Sequence, residues 1–134
     1  MKEPVWIRQD VVIAVHERLL ADHGGPSGLR DPGLLESALA RPRQILAYGG
    51  ADSDLTALAA AYAFGIVRNH PFVDGNKRIT FMTAYIFLAR NGLSLTATEA
   101  DATHAILRLA SGELQEAQFA RWLKDNTVPT VNSE

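Results

Sequence analysis

Apolar residues recur at helical spacing through most of this chain. Val11, Val12, Val15, Leu19 and Leu20 form one stripe, and apolar positions three and four apart mark an amphipathic helix. Asp10 stands where a capping carboxylate would and Gly24 where the backbone can turn away, so a helix is expected from Asp10 to about His23. His16, inside it, reads as a surface or boundary residue. Before it, residues 1–9 read as a short extended piece, with Val5 and Ile7 alternating against Trp6; after it, residues 23–28 are a loop by composition. Asp31-Pro32 is a second helix start, and Pro42 predicts its end at Arg41. Residues 43–53 lack helical spacing and hold two adjacent glycines, Gly49 and Gly50, which predicts a connector. The spacing Leu55, Leu58, Ala59, Tyr62, Ile66 predicts a helix from Ser53 or Asp54 to Asn69.

The segment from Lys77 to Asn91 is apolar on nearly every side, as a buried central helix would be, and Gly92 should end it. Thr98-Glu99-Ala100-Asp101 resembles a capping box for a helix to about Ala110, with His104 structural or exposed and Ser111-Gly112 as a break. A last helix, from about Leu114 to Lys124, would bury Phe119, Trp122 and Leu123, and the polar tail after Asn126 should fray. The expected fold is all-α, about six helices around the central one at about 77–91, in a single domain spanning 1–134.

A chain of 134 residues that is 47% hydrophobic is long enough for one real core. Thirteen Lys and Arg against fifteen Asp and Glu leave a net charge of −2, so no global field draws it to nucleic acid or an anionic membrane, and neither is an expected partner. Any phosphate affinity must be local. The absence of cysteine removes disulfides, thiolate catalysis and Cys-based zinc sites. No stretch reads as a signal peptide or membrane span, so a cytoplasmic location is expected.

The chemistry is concentrated in Asn69-His70-Pro71-Phe72-Val73-Asp74-Gly75-Asn76-Lys77-Arg78. Pro71 should stop the preceding helix near Asn69 and present His70 at its end. Asp74 offers a hard oxygen ligand, and Gly75 permits a turn in which successive N–H groups point the same way, an anion nest. Lys77 and Arg78 then open a helix, where cations oppose the macrodipole at a cost of roughly 0.3–1 kcal/mol each unless an anion is bound. One carboxylate with cations and free N–H groups suits a nucleotide–Mg²⁺ complex better than an all-protein metal cage. A histidine beside it can take a proton from a hydroxyl. These residues point to phosphoryl-type transfer to an alcohol.

Here the chain resembles the Fic/Doc family, whose signature runs His-x-Phe-x-acid-Gly-Asn-Gly/Lys-Arg and stands in this sequence as His70, Phe72, Asp74, Gly75, Asn76, Lys77 and Arg78. The segment from Gly28 to Pro42 is similar to the N-terminal part of the short death-on-curing (Doc) branch. The resemblance implies that His70 activates the target hydroxyl and Asp74 holds Mg²⁺. It gives the backbone of Gly75 and Asn76 and the Asn76 side chain to the phosphate cradle, Lys77 and Arg78 to further phosphate binding, and Phe72 to packing. It also implies that residues 43–53 resemble a flap aligning the target peptide, and leaves Arg30 as a candidate for the nucleotide or antitoxin groove.

AMP-transferring relatives have glycine in place of Lys77 and commonly an arginine in place of Phe81. In the Doc branch the lysine accompanies delivery of the γ-phosphate of ATP. The resemblance therefore implies a toxin of a toxin–antitoxin module, phosphorylating a Ser or Thr hydroxyl of a host protein, a translation elongation factor by family analogy, and so inhibiting translation. Gly75 keeps the AMP-transferase form of the loop, so AMP transfer stays open, as does a non-catalytic protein- or anion-binding module. The inhibitory pattern Ser/Thr-x-x-x-Glu-Gly/Asn has no complete copy; Thr130 and Glu134 have the spacing alone. Inhibition is therefore expected in trans, from an antitoxin whose disordered C-terminal segment folds into a groove.

Overall fold

A computed structural model describes residues 3–49 and 53–130. Among them are α1 (Gln9–His23), α2 (Pro32–Gly49), α3 (Leu55–Asn69), α4 (Asn76–Arg90), β1 (Leu93–Leu95), α5 (Glu99–Ser111), α6 (Glu116–Asp125) and β2 (Thr127–Pro129). The fold is all-α with six helices, as expected, plus one small antiparallel pair of strands.

Asp54 caps α3 by accepting from Ala57 N–H at 2.8 Å, and its carboxylate also accepts from the Thr56 hydroxyl. Leu58 through Ala63 are all fully buried, a run longer than one turn, so no face of α3 is open at that level. The centre of the core is therefore α3, packed against α2, α4 and α6. The small side chains let its neighbours approach: a Cβ added at Gly65 would stand 3.1 Å from Ala38 Cα on α2.

The central place expected for residues 77–91 is thus held by the helix before it. In α4, Ile79, Ala84, Phe87 and Leu88 are buried, while Phe81, Met82 and Ile86 are half-buried and Tyr85 is exposed. Its surplus of apolar residues is explained by a cleft of about 660 Å³ between α1, α4 and α5, whose wall includes Phe81, Met82, Ile106 and Leu107.

Three more expectations differ in detail. The second helix does not end at Arg41 but continues through Pro42 to Gly49. Proline removes the donor that Ala38 C=O would use in a regular helix, and α3 packs close to that carbonyl, a Cβ added at Gly65 falling 3.3 Å from its oxygen. Residues 43–49 are consequently helical; Gly50, Ala51 and Asp52 of the proposed flap lie outside the described residues. The cap of α1 falls two residues before Asp10, at Arg8, whose C=O accepts from Val11 and Val12, so Asp10 sits in the first turn, paired with Arg8 at 2.8 Å. In the N-terminal piece Ile7 is buried and its N–H donates to Tyr62 Oη at 3.1 Å, whereas Val5 is exposed and Trp6 stacks on Phe87. Burial pushes the Tyr62 phenol up from its ordinary pKa, only partly offset by that hydrogen bond.

The C-terminal tail is tied down as far as it is described. Thr127–Pro129 pairs with Leu93–Leu95, and Thr130 N–H donates to Gly92 C=O at 2.9 Å. Glu134, the acid of the incomplete inhibitory spacing, lies outside the described residues. Thr98 caps α5 through Asp101 N–H as expected, His104 is exposed, and α6 buries Phe119 and Leu123 with Trp122 half-buried. The packed helices α3 and α4 meet at residues 70–75, over which the segment before α2 is laid.

Candidate active site

The connection between α3 and α4 departs from ordinary backbone at both ends. His70 closes α3 in the left-handed region, φ 52° and ψ 56°, with its N–H on Ile66 C=O at 3.0 Å. Among the described residues it is the single non-glycine residue with positive φ, a conformation costing roughly 1–2 kcal/mol for a residue with a Cβ. Several contacts hold it there. Arg30 donates from Nε to His70 C=O at 2.8 Å and from Nη2 to Asn69 C=O at 2.9 Å. Pro71 C=O accepts from the N–H groups of Arg30 and Asp31, and Val73 N–H donates to Gly28 C=O, so residues 28–31 run antiparallel to the loop like a short extra strand.

At the other end Gly75 adopts φ 77° and ψ 18°, which glycine alone takes without strain, and α4 begins at Asn76. The N–H groups of Asn76, Lys77 and Arg78 fall in the first turn and have no intrahelical acceptor; the first helical bond is Ile79 N–H to Gly75 C=O. A left-handed residue leading into a right-handed helix turns these donors to one side, where the dipole also favours negative charge.

The signature residues are gathered within this loop. His70 is exposed, as are Asp74, Lys77 and Arg78; Phe72 and Asn76 are buried, at 1% and 4% exposure. Phe72 anchors the loop in the core, as expected. The Asn76 carboxamide is turned inward: Phe72 N–H donates to Oδ1 at 3.0 Å and Nδ2 donates to Phe72 C=O at 2.9 Å. The second Nδ2 hydrogen faces the His70 ring, with Nδ1 at 3.1 Å and Nε2 at 3.3 Å. An amide nitrogen this close to both ring nitrogens lies over the face of the imidazole, so the Asn76 side chain holds the ring by contact. The Asn76 side chain is thus committed to shaping the loop, which leaves its backbone N–H for an anion.

The Asp74 carboxylate lies against the backbone of Gly25, where an added Cβ would be 2.6 Å from Oδ2. No group of three or more His, Cys, Asp or Glu among the described residues could hold a metal ion. A cation here would rest on Asp74 together with phosphate oxygens and water, the donor set Mg²⁺ takes in nucleotide complexes. Lys77 and Arg78 form no ion pair among the described residues and line the cleft together with Phe81.

Two participants were misjudged or underweighted in the sequence. His16, expected at the surface or its boundary, is 2% exposed; its ring stacks on Phe72 with centroids 3.8 Å apart, and its Nε2 lies 2.7 Å from Asp74 C=O. A signal was present, since His16 follows Val12 by four and precedes Leu19 by three, on the apolar face. Arg30 binds the loop itself, through backbone carbonyls that no sequence pattern announces.

Fold and site together define a class: a helical domain in which a braced loop sets an exposed imidazole and a carboxylate beside a helix N-terminus bearing two exposed cations. The chain belongs to the Fic/Doc family; the sequence model described as Fic/DOC family matches residues 6–88. It is similar to the protein kinase doc of Escherichia phage P1, 32% identical over 120 residues that cover 88% of this chain and 92% of that one. It is also similar to the toxin Doc of Mycolicibacterium smegmatis, 47% identical over 75 residues, 55% of this chain and 57% of that one.

Proposed function

We propose that this chain is a Doc-type toxin, a single catalytic domain that transfers the γ-phosphate of ATP to a Ser or Thr hydroxyl of a host protein. The observation that carries the reading is the exposed His70 imidazole, held in a left-handed cap by Arg30 beside the free N–H groups of α4. In this reading the hydroxyl proton passes to an imidazole nitrogen of His70 as the oxygen attacks the γ-phosphorus. The new O–P bond forms while the bond from γ-phosphorus to the β,γ-bridging oxygen breaks, and ADP leaves with that electron pair. The N–H groups of Gly75, Asn76 and Lys77, with the Lys77 and Arg78 side chains, bind the phosphates and stabilise the charge that spreads over them. Asp74 would hold Mg²⁺, which when bound neutralises phosphate charge.

The name of the phage relative, a protein kinase, and the lysine at position 77 favour phosphate over AMP transfer. The family resemblance makes a translation elongation factor the proposed target and translation the process inhibited. A toxin requires restraint, and the proposed source is an antitoxin whose disordered C-terminal segment folds onto this chain. The cleft between α1, α4 and α5, lined mostly by apolar residues together with Lys77 and Arg78, offers such a segment a seat.

ATP labelled separately at the α and γ positions, incubated with the protein and a cell lysate, tests the reading. Label transferred from γ alone supports it, and label from α would assign AMP transfer instead. His70→Ala should remove transfer by at least about a hundredfold, the usual range for losing a positioned base, while the fold persists. Undiminished transfer would refute the role given to His70. Binding of nucleotide and lysate proteins with no transfer of either label would make the domain a binding module.

A further inference from the structure

We infer that His16 on α1 is a positioning residue that sets the direction of the Asp74–Gly75 peptide and thereby aims the Gly75 N–H at the bound phosphate. The inference rests on the phosphate-binding role proposed for Gly75 and adds to it what keeps that amide in place. The contact between His16 Nε2 and Asp74 C=O is 2.7 Å long. A carbonyl oxygen only accepts, so Nε2 carries the hydrogen and donates.

Asp74 C=O and Gly75 N–H belong to one planar trans peptide and point in opposite directions. A carbonyl drawn inward to His16 therefore sends the Gly75 N–H outward, to the side where the first-turn donors of α4 are exposed. Glycine at position 75 makes this constraint necessary. Without a Cβ, Gly75 accepts φ on either side of zero, so the peptide can turn over at little steric cost and present its carbonyl where its N–H should be. An oxygen facing a phosphate would repel it.

The imidazole is itself fixed. It is buried, stacks on Phe72 at an interplanar angle of 18°, and abuts Gly75, where an added Cβ would lie 3.4 Å from Nε2. Phe72 is clamped in turn by the Asn76 carboxamide. The exposed face of the loop thus takes its polarity from a side chain that touches no ligand, 58 residues away in sequence.

The test is a titration of ¹⁵N-labelled protein with inorganic phosphate and then with Mg²⁺-ATP, following the Gly75 amide in wild type, His16→Phe and His16→Gln. Phenylalanine keeps a ring against Phe72 and removes the donor; glutamine returns a donor near the Nε2 position. In wild type the Gly75 amide proton should move downfield on phosphate addition. His16→Phe should need about tenfold more phosphate for the same response, the equivalent of one ordinary hydrogen bond, and His16→Gln should recover most of the affinity. A purely packing role predicts the opposite order, with phenylalanine the milder change. An equal response in wild type and His16→Phe overturns the inference and leaves the proposed function standing. A silent Gly75 amide in wild type overturns both. Should His16→Phe not fold, the wild type alone decides: exchange protection of the His16 Nε2 proton with scalar coupling to the Asp74 carbonyl supports the inference, and an unprotonated Nε2 ends it.

Discussion

Replacing Asn76 by alanine should separate a side chain that builds the loop from one that merely lines it. The carboxamide satisfies both the N–H and the C=O of Phe72 at 3.0 and 2.9 Å, in a region where Phe72 is 1% exposed, and neither group has another backbone partner among the described residues. Leaving a buried donor and a buried acceptor unpaired costs about 1–3 kcal/mol each. Better helix propensity of alanine returns about 0.5 kcal/mol. A net loss of about 1.5–5.5 kcal/mol is expected, or roughly 5–20 °C in Tm for a chain of this size. Urea unfolding with an unchanged slope is the assay, and Asn76→Asp is the control. The aspartate oxygen still accepts from Phe72 N–H, but its second oxygen faces Phe72 C=O, so this variant should be destabilised at neutral pH. It should recover in part when acid protonates the carboxyl and restores a donor. A loss below about 0.5 kcal/mol for Asn76→Ala, well under the cost of even one buried orphan, would refute the reading of Asn76 as the brace of the loop.

Arg30 should behave differently, because it is exposed and acts on carbonyls at the end of α3. Arg30→Ala is expected to cost only about 1 kcal/mol of stability, in line with surface charge at a helix C-terminus, while lowering kcat at least about tenfold with little change in KM, since His70 loses its hold; Arg30→Lys should not rescue, a lysine lacking the planar fork. A KM effect alone would count against that role. At the far end of α3, burial pushes the Asp54 carboxyl up, but the hydrogen bonds from Ala57 and Thr56, with Lys124 nearby, outweigh it and leave the net pKa lowered from its ordinary 3.8. A lowered folded pKa means that the carboxylate contributes stability fully above the ordinary value and loses it as pH falls through the lower folded one. Unfolding measured from pH 6 down to pH 2 should therefore show a shallower acid loss in Asp54→Asn than in wild type.

Local chemistry in the sequence determined where most helices begin and end. Asp54 and Thr98 cap as side chains that satisfy first-turn N–H groups within three residues, and Gly24 and Gly112 turn out of α1 and α5 in positive φ. These are contacts between near neighbours, so residue order alone carries them. The loop from Asn69 to Arg78 was legible for the same reason: its histidine, carboxylate, glycine and cations stand within one turn.

Only the tertiary structure decided what each of these segments meets. Pro42 lies inside a helix that packs closely on α3 at Gly65, and residues 127–129 form a strand because Leu93–Leu95 offers them a partner. The central place went to α3 over α4 because neighbours surround α3 on every side, whereas one side of α4 faces a cleft. His16 and Arg30 reach the loop from 58 and 40 residues away, through backbone oxygens that every residue possesses. A hydrogen bond to a carbonyl leaves no mark on the identity of the residue that accepts it, so the sequence named the groups in the loop while the fold alone determined what orients them.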